Sequence, residues 1–300
     1  MTMGHGVERS EATLEPGAAV MNDIFFKVLT QTVQVTLLVL IMMTLVDAVN
    51  VWTRGKLASV LKGAGRWRQY LVSSLIGAAP GCMGAFTNVS LYVHGMISFG
   101  ALVGAMAAVS GDEAFVMLAM FPRTATLLFG MLFVIGVLVG WITDIVVEKY
   151  NIQTCRDCEV QQFHPTQEGF GHYLRDHVWQ HIVKKHLWKT ALWTFSALLA
   201  VEIGLQYWDL ESLTSQYTLL LLFAGALVGL IPESGPHLIF VTMFANGLIP
   251  FSVLFTSSVV QDGHGMLPML SYSIRDSILI KVFNMCFGLA IGMLLYALGF

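Results

Sequence analysis

Shifted along itself by 152 residues, this chain matches without a gap, Leu75 to Gly140 lying on Leu227 to Gly292. About fifteen positions coincide, and residues with special backbone chemistry are among them: Pro80 on Pro232, Gly95 on Gly247, Gly111 on Gly263, Gly136 on Gly288 and Gly140 on Gly292. Arg123 also falls on Arg275. A unit that occurs twice must fold twice and pack against itself. In a membrane protein this is the ground plan of a secondary transporter, whose site lies where the copies meet.

Composition places the chain in a bilayer. It is 56% hydrophobic and only 12% charged, with a mean hydropathy of +0.70, whereas a soluble domain carries roughly a quarter charged residues. Four runs, Thr30–Trp52, Thr124–Val147, Leu187–Trp208 and Ser277–Leu298, are long enough to cross a hydrocarbon layer about 30 Å thick. The stretches between them, 70–121 and 217–273, are apolar but interrupted by Pro, Gly and charged residues at matched places, and read as broken helices or short hairpins. The expected fold is an all-α polytopic membrane protein of two repeats with about ten membrane segments. Its expected parts are a disordered tail (1–25), a first membrane repeat (26–147), a cytoplasmic Cys/His-rich loop (148–186) and a second membrane repeat (187–300). Basic residues sit in loops and form no extended face, so no nucleic-acid partner is expected.

Loop charge gives the orientation. The loop after the first span holds Arg54, Lys56, Lys62, Arg66 and Arg68 without an acid, while the equivalent loop after Trp208 holds only Asp209 and Glu211. Positive loops stay in the cytoplasm, so equivalent loops lie on opposite sides and the repeats are expected to be inverted. This requires an odd number of crossings per copy. Five short or full crossings per half fit the length best, and three crossings plus one re-entrant hairpin satisfy the same parity.

The polar residues gather at the breaks. The first copy reads Pro80-Gly81-Cys82, then Asn88, His94 and Ser110-Gly111-Asp112-Glu113; the second reads Pro232-Glu233-Ser234-Gly235-Pro236-His237, then Asn246 and Gln261-Asp262-Gly263-His264. A broken helix frees backbone groups that lipid cannot satisfy, so such backbone is tolerated only inside protein or beside a watery cavity. Asp112, Glu113, Glu233 and Asp262 are ionisable groups in apolar surroundings, each costing at least about 2.5 kcal/mol at the centre of a lone helix, which makes function the default reading. With His237 and His264 they offer carboxylate oxygen and imidazole nitrogen, a donor set suited to manganese, iron, cobalt or zinc. Asn88, His94 and Asn246 complete the candidate transport site.

Structural roles compete with each of these. Asp112 can cap the helix that follows it, Asn88 and Asn246 can tie helices together, His94 can end a helix beside Gly95, and Arg123 and Arg275 can anchor helix ends at the interface. Asp47 and Glu202, near the ends of equivalent first spans, are either interfacial or, if buried, proton-coupling groups. The central loop is a separate constellation: Cys155, Cys158, His164, His177 and His181 form a candidate accessory metal site, with reduced thiols if the loop is cytoplasmic.

These motifs also carry a family likeness. Through Pro80-Gly81-Cys82, Ser90-Leu91-Tyr92-Val93-His94-Gly95, Ser110-Gly111-Asp112-Glu113-Ala114-Phe115, Ile231-Pro232-Glu233-Ser234-Gly235-Pro236-His237 and Ser257-Ser258-Val259-Val260-Gln261-Asp262-Gly263-His264-Gly265, the chain resembles the manganese transporter family. That family is also described as ten-helix heavy-metal exporters related by name to arsenic efflux proteins. The resemblance covers nearly everything after about residue 25. It implies a multi-pass transporter of the inner membrane that exports a divalent metal, manganese before zinc, iron or cobalt. It is not expected to be an enzyme or to need a cofactor. The expected partners are the metal ion and the bilayer, with a homodimer as the candidate assembly. Manganese is a hard cation and arsenite favours thiols; the residues lean to the cation, since acids repel an oxyanion and no close cysteine cluster lies within the membrane segments.

Two alternatives stand beside this. One is an anion or metalloid permease in which helix N-termini at the Pro80 and Pro232 breaks face the substrate. The other is an intramembrane metalloenzyme with Asp262 and His264 as zinc ligands and Glu113 or Glu233 as base. Against the second, no His-Glu-x-x-His helix is present. No nucleotide-binding Gly-x-x-x-x-Gly-Lys-Ser/Thr run is present either, so proton counter-movement is the expected driving force.

Overall fold

The computed structural model describes residues 16–53, 65–93, 95–154, 188–207, 214, 216–232 and 234–300. Among them every regular element is helical. The first half comprises α1 (Pro16–Thr53), α2 (Arg66–Ala78), α3 (Met83–Val93), α4 (Phe99–Ala108), α5 (Glu113–Met120) and α6 (Pro122–Lys149). The second comprises α7 (Trp188–Tyr207), α8 (Thr218–Gly229), α9 (Leu238–Ala245, preceded by a 3-10 turn at Gly235–His237), α10 (Phe251–Val260), α11 (Met266–Tyr272, preceded by a 3-10 turn at Gly263–Gly265) and α12 (Ile274–Ala297). The 152-residue shift recurs in these boundaries. Arg66 lies on Thr218, Met83 on Gly235, Phe99 on Phe251, Ala108 on Val260 and Pro122 on Ile274, so the chain repeats element by element.

One expected boundary moves. The tail expected over residues 1–25 is helical from Pro16 onward; Pro at the first helical position costs no hydrogen bond, and Ala18 and Ala19 favour the helix that follows. The interrupted stretch 70–121 also contains more than sequence reading suggested. Phe99–Met120, which includes the α4–α5 break, is long and apolar enough to cross a membrane and is 94% buried, against 39% for Pro122–Lys149 and 22% for Ile274–Ala297. The broken span is therefore inside and the continuous spans outside, as unsatisfied backbone requires. Leu127, Val134, Leu138 and Ile145 on α6, and Ile274, Ile278, Val282 and Leu294 on α12, expose apolar side chains outward, the face a bilayer covers.

Small residues set the packing. In the first copy Gly100 and Gly104 of α4 meet Gly136 and Gly140 of α6 so closely that a Cβ at Gly104 would overlap the Gly136 carbonyl. Backbones approach this way in membranes because dispersion and polar contacts, not the hydrophobic effect, hold helices together there. In the second copy Ser252 and Thr256 face Gly288 and Gly292 at the matched positions, and Thr256 Oγ1 donates to the Ser252 carbonyl at 2.8 Å.

α2 and α3 form a hairpin. The chain turns at Ala79–Cys82, Gly84 packs on the Ile76 backbone, Asn88 Nδ2 donates to Ser73 O at 3.1 Å, and Gln69 Oε1 accepts from the Ser98 amide at 3.0 Å. Both outer ends thus lie on one side. α8 and α9 pair likewise, with Leu222 and Phe240 in one apolar cluster. Each copy therefore contains a hairpin of short helices beside its longer ones.

Candidate metal-transport site

Two backbone breaks, one from each copy, meet at the centre. The residues between α4 and α5 place Gly111 at φ +59°, and those between α10 and α11 place Gly263 at φ +53°, the left-handed region that only glycine enters without strain. A Cβ on Gly263 would lie 3.6 Å from the Gly111 Cα, and a Cβ on either glycine 2.8 Å from Ser234 Oγ. Gln261 Nε2 donates to the Val109 carbonyl at 3.0 Å; these two residues are themselves partners in the 152-residue shift. The tip of the first hairpin joins them, the Gly81 amide donating to Gly111 O at 3.0 Å.

Around this contact sit the buried ionisable groups. Asp112 accepts from Cys82 Sγ at 3.3 Å. Glu113, the first residue of α5, is 2% exposed, and its Oε2 has no partner. His237 is fully buried, with Nδ1 3.2 Å from Ser257 Oγ and Nε2 unpartnered. Ser110 Oγ, Ser234 Oγ and Gln261 Oε1 are likewise buried without a partner. Native interiors leave few such groups unsatisfied, and Ser110, Glu113, Ser234, His237 and Gln261 are five of them. Asp262 differs: Asn284 Nδ2 donates to its Oδ1 at 3.1 Å, and Lys281 Nζ is ion-paired to its Oδ2 at 2.6 Å.

The other candidates are placed as follows. Asn88 spends its amide hydrogens on Ser73 O and Gly84 O, fastening the first hairpin. Asn246 donates to Thr242 O at 2.9 Å at the end of α9. Glu202 pairs with Lys27 at 2.8 Å, joining α7 to α1. His94, Glu233, Cys155, Cys158, His164, His177 and His181 lie outside the described residues, as do the side chains of Asp47 and His264. Among the described residues no three His, Cys, Asp or Glu side chains are gathered as a metal ion would need.

Two cavities lie among the helices. One, of about 460 Å³, is lined by Arg66, Gln69, Tyr92, Ser98, Asp144 and Glu148 among others. The second, of about 330 Å³, is lined by Gln31, Gln34, Ala119, Met120 and Asn246 among others. Ala119 and Met120 immediately precede α6, whereas Asp144 and Glu148 stand at its far end, so the cavities lie at opposite ends of a helix of 28 residues, about 42 Å at 1.5 Å per residue. Hydrogen bonds close the floor of the larger one: Tyr70 Oη donates to Asp144 Oδ2 at 2.7 Å, the Gly100 amide to Asp144 Oδ1 at 2.7 Å, and Tyr92 Oη to Asp276 Oδ2 at 2.7 Å. Arg66 pairs with Glu148 at its rim.

Lys281, Asn284, Asp144 and Asp276 did not figure in the sequence-derived site. A signal for Lys281 existed, since a lone ammonium inside an otherwise apolar span is a functional hypothesis by default. Asp144 carried a weaker one, lying four residues before Glu148 near a span end.

No curated protein and no solved structure matches the sequence. A family model does, over residues 12–206 and 159–299, which together span almost the whole chain. The chain belongs to the family described as "Putative, 10TM heavy-metal exporter".

Proposed function

We propose that the protein exports a divalent transition-metal cation, manganese foremost, from the cytoplasm across the inner membrane by alternating access of two inverted copies. One observation carries this reading: the breaks of both copies converge at Gly111 and Gly263 among buried acids and unpartnered polar atoms. Pseudo-twofold junctions of discontinuous helices are where transporters of this architecture bind cargo. Asp112, Glu113 and His237, with Glu233 and His264 as further ligands, supply the oxygen and nitrogen donors a first-row divalent ion takes. Glu113 is the group best suited to exchange a proton for the ion, because its Oε2 is engaged with nothing else. The Cys155/Cys158 loop with its histidines collects the ion on the cytoplasmic side.

Uptake by inverted membrane vesicles tests the reading. Manganese is expected to accumulate under an imposed proton gradient, with zinc, iron and cobalt following more weakly and arsenite excluded. Accumulation of arsenite alone would overturn it in favour of a metalloid permease.

A further inference from the structure

Lys281 is the eighth residue of α12, and its side chain reaches away from lipid to a place that is built for a cation. Its Nζ lies 2.6 Å from Asp262 Oδ2, 2.8 Å from Gly229 O and 3.3 Å from Val260 O. An ammonium has three donors, and three oxygens meet it. Gly229 and Val260 are the last residues of α8 and α10. Carbonyls at helix C-termini have no intrahelical partner and stand at the negative end of the helix dipole. Asn284 steadies the remaining carboxylate oxygen of Asp262. Two helix ends and a fully buried carboxylate thus converge on one positive charge.

The repeat supplies an internal comparison. Under the 152-residue shift Lys281 lies on Phe129, Asp262 on Ser110 and Asn284 on Leu132. The first copy packs the corresponding α4–α6 crossing without any of the charged parts, so the ion pair is not a requirement of the crossing. Replacing a buried ion pair by apolar residues is often neutral or stabilising, and Lys within a membrane span is expensive. Stability alone therefore gives no reason for the pair.

We propose that the Gly229 and Val260 carbonyls together with the Asp262 carboxylate form a hard-cation site, which Lys281 fills in this conformation as a tethered counter-cation and which a transported divalent ion occupies when the Lys281 ammonium withdraws. This rests on the export reading above. The donor set is all oxygen, which suits manganese or magnesium better than softer metals. The three donors of Lys281 are taken, so no anion is recognised there.

The test is manganese binding to the purified full-length protein in detergent, read from the paramagnetic resonance of the free ion. Wild type is compared with Lys281→Gln and with Lys281→Gln combined with Asp262→Asn. Removing the tethered competitor is expected to tighten binding about tenfold, and the second substitution to abolish that gain. Unchanged or weaker binding by folded Lys281→Gln, or a gain that survives Asp262→Asn, overturns the proposal. If Lys281→Gln does not accumulate as a monodisperse species, the unmutated protein serves: saturating manganese should increase modification of Lys281 by a small amine-directed reagent, measured by peptide mass spectrometry, and unaltered reactivity contradicts the proposal. Failure of the export reading shows separately, as wild-type vesicles that take up no divalent ion whatever Lys281 does.

Discussion

Gly263 concentrates two demands in one residue. Its φ of +53° excludes easy replacement by any L side chain, and a Cβ there would stand in contact with the Gly111 Cα at 3.6 Å and require Ser234 Oγ, 2.8 Å away, to turn aside. Gly263→Ala is therefore expected to destabilise the protein by about 1–3 kcal/mol, chiefly through backbone strain. A fluorescence size-exclusion melting series checks this, and an undiminished melting temperature would show that the left-handed backbone at this break is not required. Matching the repeats made this glycine legible, because both copies place the same residue at the same break. Lys281 was not legible in the same way. It sits in a run whose other residues satisfy every criterion of an ordinary span, so its charge is submerged in the mean; its meaning depends on Gly229 and Val260, distant in sequence, presenting carbonyls to it.

Among the elements, the crossing of α4 and α6 shows how the two copies reach one geometry with different chemistry. The first uses bare backbone contact at Gly100, Gly104, Gly136 and Gly140; the second inserts Ser252 and Thr256 against Gly288 and Gly292. Gly104→Leu should consequently remove most of the protein from the monodisperse fraction, since its side chain would stand on the Gly136 backbone. Thr256→Ala should cost only about 1 kcal/mol for its hydrogen bonds to backbone carbonyls. Equal effects would mean that backbone proximity is not what holds the crossing. The continuous helices α6 and α12 were readable from length and hydropathy. The hairpins were legible only as one of two alternatives, broken helix or hairpin, because Pro80-Gly81 and Pro232 signal only that a helix stops; whether the chain then continues across or turns back is decided by contacts such as Gly84 on Ile76 and Asn88 on Ser73.

Taken as a whole molecule, the duplicated unit folds with matched boundaries and meets its copy at the breaks, where Gly111 approaches Gly263, and along α1 and α7, joined by Lys27 and Glu202. Asp112, Glu113 and His237, singled out for their residue type beside Pro and Gly, are brought to buried positions around that meeting point. Asp262 is buried there as well, but its partner is Lys281, and sequence reading treated it as a free ligand because nothing local announces the ammonium. The two cavities lie at opposite ends of α6, and beside the larger one Tyr70 and Tyr92 donate to Asp144 and Asp276.

The claim on which the account depends is that the ion passes between the two breaks. Manganese flux into inverted vesicles, with Glu113→Gln and Asp112→Asn compared with wild type at equal membrane abundance, tests it most directly. Glu113→Gln keeps the shape of a side chain that has one oxygen unpartnered, so the protein should remain folded while flux falls at least about a hundredfold, a scale set by the loss of a charged group that acts on the ion itself. Flux near the wild-type level in both variants, with the protein intact in the membrane, would contradict the account and place the path elsewhere.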